Sequence, residues 1–131
     1  MNPGFSKGSP NLLEKDERFC PVRDFFGRVG DKWSLLVTFH LGAEDRLRFN
    51  ELRRRVDGIS QRMLTVTLRS LERDGLVKRD VFPEVPPRVE YSLTKMGREF
   101  LVQIKGILSW AHDSVDEITE ARALYDERHQ N

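Results

Sequence analysis

Apolar residues recur at helical spacing between positions 59 and 76, and both ends of this stretch carry helix signals. Ser60 is a residue type that caps helix N-termini, and Gly75 suits the left-handed position just past a C-terminus. Three leucines at intervals of four and three form one buried stripe: Leu64, Leu68 and Leu71. The pattern predicts an amphipathic helix between Ser60 and Gly75.

The opposite face of this helix is basic. At about 100° per residue, four side chains point away from the leucines, with Thr65 beside them: Arg62, Val66, Arg69 and Arg73. A helix that buries leucines and exposes arginines, threonine and glutamine suits a DNA major groove. The alternative is an ordinary amphipathic helix with a solvated basic face, and the flanking sequence decides against it.

Two helices are predicted upstream. Pro21 suits the first turn of a short helix that ends at Gly30. Its apolar set is Val22, Phe25, Phe26 and Val29. Asp31 caps the next helix, Lys32 to about Gly42. Its predicted inner stripe is Trp33, Leu36, Val37, His40 and Leu41.

A short helix precedes the basic one. Residues 47–49 form a brief extended piece, and Asn50 is predicted to cap a helix over 51–56. Leu52 and Val56 are its buried residues, and the arginines of 53–55 lie mostly outside. Two short helices joined by the tight turn at 57–58, the second of them basic, predict a helix-turn-helix.

Two strand-like runs follow, over 77–82 and 88–93. The intervening segment 83–87 holds three prolines and cannot be sheet interior, so it is predicted as a stiff hairpin tip, or wing. Arg79 and Arg88 flank this tip. Arg88 is expected to reach a minor groove or a phosphate, or else to pair across the hairpin with Glu90 or Asp80.

Thr94 is predicted to cap a last helix from Lys95 to about Arg128. Its main apolar stripe is Phe100, Leu101, Ile104, Leu108, Ala111, Val115 and Ile118, with Leu124 further on and with Ile107 and Trp110 on a second flank. So wide an apolar face predicts a partner helix, most simply the same helix of a second subunit. The alternative is a solitary helix that folds back on its own core.

Length and composition fit one globular domain of 131 residues. No apolar run approaches the roughly 18 residues of a membrane helix, and the N-terminus lacks a signal-peptide core, so we expect a cytoplasmic protein.

The single cysteine excludes an internal disulfide and a cysteine-based zinc site. The histidines at 40, 112 and 129 lie far apart. We therefore expect neither a metal nor a cofactor, and no enzyme, because no nucleophile–base pair or Gly-rich phosphate loop is present.

Charge is distributed unevenly although the net charge is only +1. From Arg46 to Arg79 there are ten Lys and Arg against four Asp and Glu, whereas from Glu99 to Asn131 there are three against seven. The basic block contains the helix described first, which is the local footprint expected of a nucleic-acid-binding protein.

These motifs together resemble the HxlR-type transcriptional regulators over roughly Phe19 to Trp110. The motifs that carry the resemblance are Cys20-Pro21, Gly30-Asp31-Lys32-Trp33, Arg48-Phe49-Asn50-Glu51-Leu52, Ile59-Ser60-Gln61-Arg62-Met63-Leu64-Thr65, Leu71-Glu72-Arg73-Asp74-Gly75-Leu76-Val77, Pro83-Glu84-Val85-Pro86-Pro87-Arg88-Val89-Glu90-Tyr91-Ser92-Leu93-Thr94 and Gly97. The family is a MarR-related group of bacterial and archaeal winged helix-turn-helix proteins.

The resemblance implies a homodimer built by terminal helices, binding a pseudo-palindromic double-stranded operator. Some members sense electrophiles or oxidants through the cysteine before the proline. Two features depart from the family pattern. Val66 stands where glutamine is frequent, which leaves the operator sequence open. The chain also has no second cysteine, so mechanisms that need two different thiols in one chain do not apply.

The candidate DNA-binding residues fall into two groups. The base-reading candidates are Gln61, Arg62, Thr65, Val66 and Arg69, of which the arginines suit guanine and the valine suits a thymine methyl group. The phosphate-contact candidates are Ser60, Thr65, Arg53, Arg54, Arg55, Arg79 and Arg88, with the alternative that some of the arginines at 53–55 are merely solvated. The alternative for Val66 is a tolerated surface apolar residue.

Cys20 is the candidate redox sensor. It sits at a helix N-terminus, where the partial positive charge lowers a thiol pKa. Its alternative role is a half-buried packing residue. A noncovalent small-molecule effector between subunits is a third possibility, with an apolar pocket formed by Trp33, Phe26, Phe100 or Trp110.

The sequence thus predicts a mainly α fold with a small β-hairpin: a winged helix-turn-helix with a long C-terminal dimerisation helix. The expected organisation is a flexible arm over 1–18, the DNA-binding domain over 19–98 and the dimerisation helix over 99–131. Its predicted dimer contacts are Phe100, Ile104, Leu108, Ala111, Val115 and Ile118. The predicted function is a dimeric DNA-binding regulator, most simply a repressor. The competing class is a winged-helix module that docks protein and reads no DNA.

Overall fold

The computed structural model describes residues 19–130, with the side chains of Phe19 and Cys20 excepted. The predicted arm over 1–18 lies outside the described residues. Eight elements follow one another along the chain: α1 (Phe19–Val29), α2 (Lys32–Gly42), β1 (Leu47–Arg48), α3 (Phe49–Arg55), α4 (Gln61–Arg73), β2 (Val77–Phe82), β3 (Arg88–Leu93) and α5 (Lys95–Arg128).

The winged helix-turn-helix prediction is confirmed, with one extension. β2 and β3 form the predicted antiparallel hairpin, in which Val77 pairs with Leu93 and Phe82 with Arg88. The brief extended piece at 47–48 is a third strand, because Leu47 pairs with Tyr91 on the free edge of β3. The sheet order is therefore β1-β3-β2. The proline-rich loop 83–87 extends beyond it as the wing.

α4 begins and ends as its local chemistry predicts. The Ser60 hydroxyl accepts a hydrogen bond from the Met63 N–H at 3.0 Å, and Gly75 adopts a φ of 82°. A positive φ of this kind is readily available only to glycine. The three leucines of the stripe are buried in the core, which places the basic face of α4 on the outside.

The buried face of α2 differs from the predicted stripe. Val37 and Leu41 are buried as expected, but Leu36 is exposed, and Ser34 and Thr38 are buried in its place. These hydroxyls can leave water because they donate within the helix: Thr38 Oγ1 lies 2.7 Å from the Ser34 carbonyl oxygen, and Ser34 Oγ lies 3.1 Å from Asp31 Oδ2. A pattern of apolar residues alone misses such positions.

The start of α3 also differs from the prediction. The helix begins at Phe49, so Arg48 is the N-cap and Asn50 is already helical. The Glu51 carboxylate accepts a hydrogen bond from the Arg48 N–H at 2.9 Å. The backbone N–H of the N-cap residue is thus satisfied by a side chain of the first turn, as in a capping box. Leu52 and Val56 are buried, as predicted.

α5 is joined to the end of α4 by tight packing at Gly97. Thr94 Oγ1 accepts from the Gly97 N–H at 3.0 Å and donates to the Gly75 carbonyl at 2.6 Å. A Cβ atom on Gly97 would lie 2.1 Å from the carbonyl oxygen of Leu76. Only glycine therefore lets the first turn of α5 come this close to the turn that follows α4.

Most of α5 lies beyond its last buried residue. The buried residues of α5 are Gly97, Leu101 and Ile104, and the 24 residues from Lys105 to Arg128 correspond to a helix length of roughly 36 Å. The exposed apolar residues of α5 beyond Ile104 are Ile107, Leu108, Trp110, Val115, Leu124 and Tyr125. α1 also exposes apolar residues of its predicted set: Phe26 is 62% exposed, and Val22 is exposed as well.

The two tryptophans occupy opposite environments. Trp33 packs against the core beneath the turn between α3 and α4, with its Cη2 3.9 Å from the position that a Cβ atom on Gly58 would take. Trp110 lies on the protruding part of α5 and is 64% exposed. The effector pocket between subunits, to which the sequence analysis assigned both tryptophans as candidates, stays a prediction.

Candidate nucleic-acid interface

The outer face of α4 brings the predicted base-reading residues together. They surround one shallow depression of about 510 Å³: Gln61, Arg62, Thr65, Val66 and Arg69. Val66 is 52% exposed at its centre, between the two arginines of the set. The Thr65 hydroxyl is already engaged, since it donates to the Gln61 carbonyl at 2.9 Å. The arginines and Gln61 are thus the long polar side chains that this face offers to a ligand.

α3, the helix that precedes α4 in the chain, carries three arginines in its last turn. Arg53 and Arg54 are exposed, as predicted. Arg55 is held differently, because its Nη2 lies 2.9 Å from Glu44 Oε1. Two of the three arginines on α3 therefore stay available for an anionic partner, while the third already has a carboxylate beside it.

The sheet contributes a cation on the other side of α4. Arg79 on β2 is exposed and borders a concavity of about 350 Å³ with Thr65, Arg69 and Tyr91. β2 and the middle of α4 thus share a surface on which Arg69 and Arg79 lie with one carboxylate, that of Glu72. The exposed arginines among the predicted DNA-contact residues are Arg53, Arg54, Arg62, Arg69 and Arg79.

Arg88 at the wing is held by intramolecular contacts. Its Nη1 lies 3.1 Å from Glu84 Oε1, and its Nε lies 3.3 Å from Glu90 Oε2, at ion-pair distance though not in hydrogen-bond geometry. Its guanidinium also stacks over the Phe82 ring at 4.3 Å. The pairing with Glu90 is one of the alternatives that the sequence left open, but it runs along β3 rather than across the hairpin. Asp80 pairs with Lys78 at 3.5 Å.

One ion pair near this surface is absent from the sequence-based predictions. Arg28 at the end of α1 meets Asp74, the C-cap of α4: Nη2 to Oδ1 is 2.8 Å and Nε to Oδ2 is 3.2 Å. Arg28 also pairs with Asp24 on its own helix. The hydrogen bonds that Arg28 donates to Asp74, and then to Asp24, raise the pKa of its guanidinium above the usual value. The helix dipole disfavours a carboxylate at the C-terminus of a helix, so the presence of Asp74 at the end of α4 was the sequence feature that could have indicated a cationic partner.

The described residues offer no site for a metal ion and no membrane span. Between positions 19 and 130, no three His, Cys, Asp or Glu side chains lie close enough together to hold a metal. No helix in the same part of the chain is long and apolar enough to cross a bilayer.

Comparison with known proteins agrees with this geometry. The profile of the HxlR-like helix-turn-helix family matches residues 28–119. The chain belongs to this family. It is a family of helix-turn-helix transcriptional regulators and not of enzymes, and membership implies DNA binding.

Individual relatives share most of this HxlR-like chain. An uncharacterized HTH-type transcriptional regulator of Methanothermobacter thermautotrophicus is 44% identical over 108 residues, or 82% of each chain. The reduced form of the redox regulator HypR matches with a TM-score of 0.69 at 40% identity, covering 76% of this chain and 98% of its own. A Porphyromonas gingivalis protein described as a MarR-family regulator matches with a TM-score of 0.65 at 41% identity, covering 76% and 95%. The predicted HxlR resemblance and its relation to MarR proteins are confirmed.

Proposed function

We propose that this HxlR-like protein is a homodimeric repressor that inserts α4 into the major groove of a pseudo-palindromic operator and blocks promoter access. The observation that carries the proposal is the outer face of α4, where Arg62, Val66 and Arg69 are exposed directly opposite three buried leucines. In a helix-turn-helix the second helix is the one that enters the groove, and α4 holds that position after α3. We therefore call α4 the recognition helix.

Sequence reading is assigned to the outer face of the recognition helix. Arg62 or Arg69 makes a bidentate pair with guanine O6 and N7, Gln61 suits adenine, and Val66 contacts a thymine methyl group. Ser60, Thr65, Arg53, Arg54 and Arg79 contact phosphates or position the helix. Arg88 has a smaller part than its place on the wing suggested, because a phosphate would have to compete with Glu84 and Glu90 for it.

The dimer is assigned to α5 with help from α1. Four apolar residues of α5 lie at helical intervals beyond Ile104, of which Leu108 and Val115 are exposed and Ala111 and Ile118 have intermediate burial. Contiguous exposed apolar surface of this kind marks an interface with another protein. A second α5 offers the same stripe, so a two-fold contact covers both. Phe100 and Ile104 continue the stripe into the body of the protomer.

The test compares Arg62, which is assigned to base reading, with Arg54, which is assigned to phosphate contact. Arg62→Ala is expected to lower discrimination between operator and scrambled DNA, because a lost bidentate base contact costs roughly 1–3 kcal/mol at one base pair. Arg54→Ala is expected to weaken both DNAs alike and to reduce the slope of log K against log salt by about one unit per contact. Both are measured by fluorescence anisotropy at several salt concentrations.

Two results would count against the proposal. If Arg62→Ala leaves the operator-to-scrambled ratio unchanged, the reading face is misassigned. If the wild-type protein binds no duplex even at low salt, the competing role as a protein-docking module is favoured. Arg55→Ala is the matched control, since Arg55 is already paired with Glu44 and its loss should change DNA affinity less than that of Arg54.

We also propose that Cys20 makes the repressor responsive to electrophiles and oxidants. Cys20 is the single cysteine and stands in the first turn of α1, where the helix dipole favours the thiolate. HypR, which shares the fold at 40% identity, is described as a redox regulator. With one thiol per chain, we favour a mixed disulfide with a small thiol over an intersubunit bridge, which needs Cα atoms within about 7 Å.

Diamide in the presence of glutathione tests this proposal. The Cys20 thiolate adds to the N=N bond, glutathione displaces the adduct to form the mixed disulfide, and diamide leaves as the hydrazine with both thiol hydrogens. Operator affinity of the wild type should fall after treatment, and Cys20→Ser should bind DNA but ignore the reagent. If the serine variant responds as the wild type does, or if the wild-type thiol resists alkylation, Cys20 has a packing role and the effector is a noncovalent ligand or absent.

A further inference from the structure

The end of α1 is fixed to the end of the recognition helix by a two-pronged ion pair. The Arg28 guanidinium donates one hydrogen bond to each carboxylate oxygen of Asp74, at 2.8 and 3.2 Å. Bidentate geometry of this kind fixes direction as well as distance. Within residues 19–130, these are the side-chain hydrogen bonds that join α1 to α4.

The pair has no evident use in stabilising the recognition helix itself. Asp74 carries its negative charge at the helix C-terminus, where the macrodipole opposes it. Its side chain is only 11% exposed, so the charge is largely removed from water as well. A neutral polar residue at this position would avoid both the unfavourable interaction with the helix dipole and the desolvation of a charge. An ion pair removed from water adds little net stability, so it does not offset these costs. A geometric role explains the pair better than a stabilising one.

The position of α1 suggests what that geometry serves. On one side, Phe25 packs edge-to-face on Phe100 of α5 with 5.8 Å between ring centroids. Val22 and Phe26 of the same helix are exposed, and their apolar side chains are available to the dimer contact assigned to α5. Arg28 therefore connects the dimer-forming helices to the C-terminal end of α4.

A small change at this connection moves the reading end of α4 by a functionally large distance. The recognition helix has 13 residues and is therefore about 20 Å long. A tilt of about 10° at Asp74 displaces its N-terminal end, which holds Gln61 and Arg62, by about 3.4 Å, the rise of one base pair. The two recognition helices of a dimer must match half-sites at one fixed separation, so such a tilt alters which operator fits.

We propose that Arg28 is a positioning residue that acts through Asp74 to set the separation and angle of the two recognition helices, and thereby the half-site spacing that the dimer accepts. The inference rests on the proposed function, namely a dimer that reads DNA with α4. It assigns Arg28 no contact with DNA. It predicts that loss of the pair changes tolerance of spacing while leaving the reading of a single half-site intact.

The experiment uses a palindrome that the wild-type dimer selects from random duplexes of about 30 bp, which span two half-sites about one helical turn apart. Derivatives shorten or lengthen the spacer by one or two base pairs, and a further duplex holds one half-site. The wild type should prefer the selected spacing by about tenfold or more, the discrimination expected when one base contact is lost. Arg28→Gln and Asp74→Asn should each reduce that preference to about threefold or less while single-half-site affinity stays within about twofold.

The double variant and two controls separate positioning from general damage. Arg28→Gln combined with Asp74→Asn should behave like either single variant, because both remove one interaction. Asp24→Asn removes the exposed partner of Arg28 but keeps the pair with Asp74, and Arg23→Gln removes an exposed charge from the same helix. Both controls should keep the wild-type spacing preference. If Arg28→Gln folds poorly, the isosteric Asp74→Asn carries the test.

A second measurement needs no DNA. Spin labels at Gln61→Cys, at the end of α4 far from Asp74, report the distance between the reading ends of the two recognition helices in the free dimer, in a Cys20→Ser background. The intact pair should give a narrow distribution, and Arg28→Gln should broaden it or shift it by about 3 Å or more, the displacement that a tilt of about 10° produces over the helix length. A dimer that keeps both its spacing preference and its narrow distribution in Arg28→Gln and Asp74→Asn overturns the inference alone. A chain that stays monomeric and selects no palindrome overturns the proposed function, and the inference with it.

Discussion

Alanine substitutions at two glycines of α5 test how the long helix is fixed to the body. Alanine is favoured over glycine inside a helix by roughly 0.8–1 kcal/mol. At Gly106 a Cβ atom would meet no other heavy atom within 4 Å. At Gly97 it would lie 2.1 Å from the Leu76 carbonyl oxygen and 3.3 Å from Leu93 Cβ. The same substitution in one helix therefore meets open space at one position and backbone at the other.

The expected free-energy changes have opposite signs. Overpacking costs about 1–3 kcal/mol, and the upper end applies at Gly97 because a backbone carbonyl cannot rotate away as a side chain would. The same oxygen accepts from the Thr94 N–H at 3.0 Å, and displacing it weakens a hydrogen bond worth about 1 kcal/mol. After subtracting the helix-propensity gain of about 1 kcal/mol, Gly97→Ala should destabilise by about 2–3 kcal/mol. Gly106→Ala should stabilise by about 0.8–1 kcal/mol.

Thermal unfolding followed by circular dichroism measures both variants. All samples need one protein concentration, because the apparent stability of a dimer depends on it. At about 3–5 °C per kcal/mol for a chain of this size, Tm should rise by about 2–5 °C in Gly106→Ala and fall by about 6–15 °C in Gly97→Ala. A Gly97→Ala protein that melts at or above the wild-type Tm would refute the close approach of α5 to Leu76. A fall in Gly106→Ala would show that a second subunit covers that position.

Two further predictions concern the dimer and the recognition helix. Leu108→Glu combined with Val115→Glu should give monomers by sedimentation velocity, because charges buried without partners cost several kcal/mol each. Ser109→Glu, which changes an exposed neighbour, should remain dimeric. A double variant that remains dimeric would refute the assigned interface. Ser60→Ala should lower the free energy of unfolding by about 1 kcal/mol through loss of the cap on the Met63 N–H, whereas Ser60→Asp should retain it. Equal urea midpoints for the two Ser60 variants would argue against capping.

The features that the sequence predicts well are those encoded by neighbouring residues. The ends of α4 follow from Ser60 and Gly75, each of which satisfies or permits backbone geometry within its own turn. The wing strands follow from apolar runs on either side of a proline-rich loop. The outward direction of Arg62 and Val66 follows from helical period once the leucines are buried. In each case a few adjacent positions contain all the necessary information.

The features that the sequence predicts poorly depend on distant contacts or on hydrogen bonds that permit burial. Ser34 and Thr38 look like surface residues until their local hydrogen bonds are seen. The pair of Arg28 with Asp74 joins positions 46 residues apart, and no periodicity relates them. For Arg88 the sequence left open both DNA contact and pairing with Glu90 or Asp80. The structure places the carboxylates of Glu84 and Glu90 beside it, and the contact with Glu84 had no sequence signal. The DNA-contact roles themselves stay predictions, because an exposed arginine is necessary for such a role but does not establish it.

The contrast between Trp33 and Trp110 provides two intrinsic optical reporters for two separate events. Indole emission shifts to shorter wavelength when water leaves the ring. Trp33, which packs beneath the helix-turn-helix, should therefore report unfolding of the DNA-binding body. Trp110 lies exposed on the protruding half of α5, so its spectrum should follow assembly as the protein is diluted. Trp33→Phe and Trp110→Phe proteins would each display one signal alone, so that folding and association can be followed separately in one unlabelled sample.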